Sequence, residues 1–81
     1  MYILTQTIND ECVFTSRETH NIKEVEHVLK VLASRDETIG EVDKSGQLVD
    51  IENKIVLWTP GERGLILEKE NKKIEFKISL I

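Results

Sequence analysis

Two histidines, His20 and His27, stand seven residues apart in the stretch ETHNIKEVEH, with Glu24 between them. The single cysteine, Cys12, precedes them. Imidazole, carboxylate and thiolate are zinc ligands, and a thiolate beside an imidazole is a nucleophile. These residue types therefore raise a metal- or cysteine-dependent enzyme as one function class. Its zinc version needs three or four ligands converging at ~2.0–2.3 Å. The spacing is neither HExxH nor a zinc-finger pattern.

Seven residues make two helical turns, so the histidines share a face only if both lie on one helix. Asn21 followed by Glu24 reads as a capping box with Asn in place of Ser or Thr. That places the helix start at Ile22 and leaves His20 outside it, where it can pack on Val25 as a staple residue. The pair then comes apart. The expectation is no catalytic residue, no metal ligand and no cofactor. Cys12, beside Val13 and Phe14, reads as a small buried apolar side chain.

The helix that carries His27 is set by Ile22, Val25, Val28, Leu29 and Leu32, one apolar stripe at 100° per residue. The spacing predicts a helix over about 22–34. Glu24, His27 and Val31 fall on the opposite side. With Arg35 they form a candidate contact patch, and Val31 is expected to face water.

"WTPGERG" is neither GxGxxG nor a phosphate loop. Pro60-Gly61 suits the two centre positions of a type II turn. Trp58 ends the run IVLW and reads as core, which leaves Arg63 as the loop's candidate anchor for a partner.

Charge supplies the other candidates. The chain is net −4. Its densest acidic stretch is 36–52, where Asp36, Glu37, Glu41, Asp43, Asp50 and Glu52 face Lys44 alone. Solvated turns and strand faces account for such a run, and an acidic surface for a basic partner is the functional alternative. Nucleic acid is disfavoured as a partner, since its affinity rests on cationic contacts to phosphate. The one local basic excess, KENKKIEFK, is interleaved with glutamates. The single cysteine, the N-terminus without a basic region and the short apolar runs predict a cytoplasmic protein without a membrane segment.

The elements that position these residues read as one domain over 1–81. MYILTQTI and CVFTS flank NDE as an N-terminal hairpin, strands 2–8 and 12–16. After the helix, IGEV, LVDI, KIVLW, LILEK and KIEFKISLI follow as strands separated by turn residues. In the last of these, Ile74, Phe76, Ile78 and Leu80 alternate with polar residues, which predicts a half-buried antiparallel strand with Leu80 inside. The predicted class is α+β: one amphipathic helix on a mostly antiparallel, curled sheet built from the hairpin and a C-terminal meander. A partly closed small barrel with one helix is the alternative.

Three functions fit such a chain. The first is a small protein-binding module, such as an inhibitor, an immunity-type factor or a phage-encoded antagonist, occupying a partner with a basic surface. The second is a homo-oligomer assembled through sheet edges. The third is the metal or cysteine enzyme, which needs more supporting groups than so short a chain readily builds.

Overall fold

A computed structural model of the chain describes residues 1–35 and 40–81. Tyr2–Ile8 (β1) and Glu11–Thr15 (β2) form the N-terminal hairpin. Asn9 and Asp10 make its two-residue turn, both at positive φ (50° and 67°). Asn and Asp tolerate this region better than other side chains, and two such residues match the twist of a hairpin. Asn9 also ties the turn to the far end of the chain. Its N–H donates to Lys73 O, and its Oδ1 accepts from the Lys73 N–H, both at 2.9 Å.

The helix, Ile22–Arg35 (α1), starts where the capping residue predicts. Asn21 Oδ1 accepts from the Lys23 N–H at 3.0 Å. The reciprocal half of the capping box differs from expectation. The Asn21 N–H donates to Thr19 Oγ1 at 3.1 Å, not to Glu24. Thr19 is held in place by a backbone bridge to Tyr2 (2.7 and 3.0 Å), so its hydroxyl is already beside Asn21. The buried face is Val25, Leu29 and Ala33, as the stripe requires.

Five strands follow: Glu41–Val42 (β3), Leu48–Asp50 (β4), Ile55–Trp58 (β5), Gly64–Lys69 (β6) and Lys72–Leu80 (β7). They pair antiparallel, and the class is α+β with the helix packed on antiparallel sheet and no closed barrel among the described residues. The C-terminal strands divide between two sheets. One is four-stranded, in the order β2-β1-β7-β6; the other is three-stranded, in the order β3-β4-β5. β7 lies in the middle of the larger sheet, pairing β1 from Tyr2↔Leu80 to Ile8↔Ile74 and β6 from Gly64↔Lys77 to Lys69↔Lys72. The two ends of the chain meet beside it: the Ile81 N–H donates to Met1 O at 2.7 Å.

A single core joins these layers. Leu4, Leu65, Ile74, Phe76 and Ile78 come from the larger sheet, and Val25, Leu29 and Ala33 from the helix. The smaller sheet contributes Leu48 and Trp58, paired with each other and both 0% exposed. The Trp58 indole Nε1 donates to Glu62 O at 3.2 Å. This links the core to the turn at Thr59–Glu62, where Gly61 sits at φ 103° and the Glu62 N–H reaches Thr59 O at 3.0 Å. That is the type II turn that Pro60-Gly61 predicts.

Leu80 and Cys12 depart from expectation on burial. Leu80 is 73% exposed. Alternation places it correctly on the core face, opposite Tyr2, but at the end of the sheet that nothing covers. Leu80→Asp is accordingly expected to shift unfolding free energy by no more than about 0.5 kcal/mol. A denaturant midpoint far below that of the parent would show that this end is packed. Cys12 is exposed as well. It pairs with Thr7 on an edge strand, where Val13 is the extra residue of a bulge and the inward position passes to Phe14, opposite Gln6.

Candidate interaction surface

The hairpin between β3 and β4 is shaped by Asp43. Its Oδ1 accepts from the Ser45 N–H (2.9 Å), the Ser45 hydroxyl (2.7 Å) and the Gln47 N–H (3.0 Å). Gly46, at φ 85°, donates its N–H to Asp43 O at 3.1 Å and closes the turn. The Ser45 hydroxyl holds the Asp43 carboxyl below the usual carboxylate range, helped by the N–H groups of Gln47, Ser45 and Gly46 against a desolvation that opposes them. Asp50 does the same for the turn between β4 and β5. Asn53 Nδ2 donates to its Oδ2 at 2.7 Å, and this bond leads the causes that lower its pKa.

These bonds carry a pH signature. The folded-state pKa of Asp43 lies below the unfolded value, so its contribution is present above about pH 4 and lost as pH falls through the folded pKa. Asp43→Asn is expected to melt at a lower temperature than the parent at neutral pH. The gap should narrow below about pH 4, where the parent carboxylate takes up its proton. Parallel melting curves with a constant gap down to about pH 2.5 would refute a carboxylate-specific role.

The candidates from the sequence fall in three places. Glu41, Asp43, Asp50 and Glu52 lie together on the three-stranded sheet and its turns. Asp43 and Asp50 use their oxygens on their own turns, while Glu41 and Glu52 are exposed. Asp36 and Glu37 lie outside the described residues. Glu24 and His27 line one cleft of about 260 Å³, with Ser16, Arg17, Thr19, Val25 and Val28. Arg35 is exposed at the helix end, and Val31 is half-buried instead of facing water. Arg63 lies in the bend just before β6 of the other sheet, its guanidinium 5.2 Å from the Tyr2 ring centroid.

His20 is exposed and lines an adjoining depression with Met1 and Asn21, which shares Arg17, Thr19 and Glu24 with the cleft at His27. Among the described residues no three His, Cys, Asp or Glu side chains group as metal ligands. No helix of the described residues is long and apolar enough to cross a membrane.

Charge alone missed the apolar part of the acidic sheet. Val42, Ile51, Ile55 and Val56 are 41–54% exposed. A signal for them exists in IVLW: consecutive strand residues point to opposite faces, so a sheet with one covered face cannot bury all four. Here Trp58 takes the core and Ile55 and Val56 remain outside. The helix braces this sheet from one flank. Glu26 Oε2 accepts from the Gly61 N–H at 2.8 Å, and Lys30 Nζ reaches the Gly46 turn.

No protein-family model, no curated protein and no solved structure matches this chain.

Proposed function

We propose that this chain is a small, non-catalytic protein-binding module of the cytoplasm that acts by occupying a macromolecular partner, as an inhibitor, an immunity-type factor or a phage-encoded antagonist does. The observation that carries the reading is the three-stranded sheet, where exposed Val42, Ile51, Ile55 and Val56 stand among Glu41, Asp43, Asp50 and Glu52. Ile51, Ile55 and Val56 lie along the β5 edge and its turn, an edge that another chain can pair with, and the surrounding charge selects a partner of opposite sign. That partner is a protein with a basic surface. Self-association through the edge of β5 is a second reading, favoured by the same exposed Ile55 and Val56.

Affinity capture from expressing cells, followed by reconstitution with the purified captured protein, tests the first reading. A complex of fixed stoichiometry that weakens with salt is expected. Recovery of no stoichiometric partner overturns it. Light scattering tests the second, which a monomer throughout the micromolar range removes.

A further inference from the structure

Among the described residues, β5 differs from the other sheet edges in charge. An edge presents backbone N–H and C=O groups that another chain can pair with, and charged side chains are a common guard against this. β2 carries Glu11, β3 carries Glu41, and β6 carries Glu68. β5 consists of Ile55, Val56, Leu57 and Trp58 and has a strand neighbour on one side only. Leu57 is the extra residue of a bulge against β4, so the regular stretch of this edge is Ile55–Val56. Ile55 is 53% and Val56 50% exposed, and Ile51, in the adjoining turn, is 54% exposed.

We propose that β5 is a recognition edge that takes up a short extended segment of the partner as an added strand, one in which aliphatic residues alternate with lysine or arginine. This rests on the protein-binding reading and specifies its mode. Backbone pairing supplies sequence-tolerant affinity, and alternate side chains supply selection. An added strand places one set of side chains beside Val56 and the other beside Ile55. That accounts for the aliphatic component.

The basic component follows from charge. Glu41, Asp43, Asp50 and Glu52 outnumber Lys44 and Lys54 on this sheet, and carboxylates are ionised at neutral pH. A second copy would set an identical acidic sheet against the first in a chain already at −4, which like-charge repulsion opposes.

The test titrates the isotope-labelled full chain with a synthetic peptide of alternating valine and lysine, and with its valine–glutamate counterpart, following backbone amides by NMR. Saturable shifts at Asp50–Glu52 and Ile55–Leu57 with the lysine peptide alone are expected, weakening several-fold with salt because exposed charges are screened beyond ~10 Å. Val56→Lys, whose folding the Trp58 emission reports, should lose about tenfold or more in affinity for the lysine peptide.

Shifts centred elsewhere, no binding at millimolar peptide, or equal binding of the glutamate peptide each overturn the proposal. Concentration-dependent β5 shifts without peptide also overturn it, in favour of a second copy. A captured partner that binds Val56→Lys unchanged overturns strand addition yet leaves the protein-binding reading standing. Failure to capture any partner removes that reading itself.

Discussion

Trp58→Ala should remove about 3–5 kcal/mol of unfolding free energy, a large fraction of what holds the chain folded. Trp58 is 0% exposed and, with Leu48, represents the three-stranded sheet in the shared core. Truncating a buried Trp costs about 3–5 kcal/mol, the lost transfer energy plus the cavity left behind. At ~0.05–0.15 kcal/mol per residue, the whole stability of a chain of 81 residues is of order 4–12 kcal/mol. The loss is therefore of the same order as the total. It also strands Glu62 O without the indole donor, which loosens the turn that Glu26 braces. Urea unfolding followed by far-UV circular dichroism is the measurement. Trp58→Phe should retain part of the lost stability by keeping a ring in place. A Trp58→Ala unfolding free energy within about 1 kcal/mol of the parent would mean that the two sheets hold together without it.

Gly40→Ala is the second large effect. A Cβ at this position would overlap the Val49 carbonyl group and lie 2.8 Å from Asp50 Cα. Both obstacles are backbone, so no side-chain rotation relieves the overlap. Lack of space for a side chain is what excludes alanine here. Residue 40 leads directly into β3, which pairs Glu41 with Val49. Forced overpacking costs about 1–3 kcal/mol, and more where the backbone must separate. The expected relief is detachment of β3, whose two residues offer little resistance. Hydrogen exchange should then show the amides of Glu41–Val42 and their β4 partners exchanging faster, with β1 and β7 less affected. Unchanged protection there would show that the approach of Gly40 to Val49 is not a constraint on the sheet.

Local features were legible in the sequence because local chemistry determines them. The 3.6-residue stripe from Ile22 to Ala33 specifies the helix and its buried face, and Asn21 marks its start. Asn9-Asp10 and Pro60-Gly61 specify their turns through φ preference. Strand partners are another matter. Alternation in Lys72–Leu80 tells which way side chains point, not that the strand pairs with Tyr2–Ile8, about seventy residues earlier, instead of continuing a meander. Nor does it tell where the cover ends, which is why Leu80 was expected inside. The bulge at Val13 defeats the reading of Cys12 in the same way, since one extra residue reverses the alternation. The acidic half of the surface could be read from composition. Its aliphatic half could not, because exposure of Ile55 and Val56 depends on β5 lying at an edge.

The position of β7 has a consequence for how the protein is made. It follows the other strands of the larger sheet in the chain, yet it lies between β1 and β6. While the ribosome is still adding residues 72–80, the N-terminal hairpin and the helix lack the strand that supplies Ile74, Phe76 and Ile78 to their core. The nascent chain carries that open apolar face until β7 emerges. Closing β1 onto β7 then requires pairing strands that are about seventy residues apart, and non-local pairing of this kind slows folding. The larger sheet thus closes only after residues 72–80 have emerged, and a holdase that shields the N-terminal half until then would act in that interval.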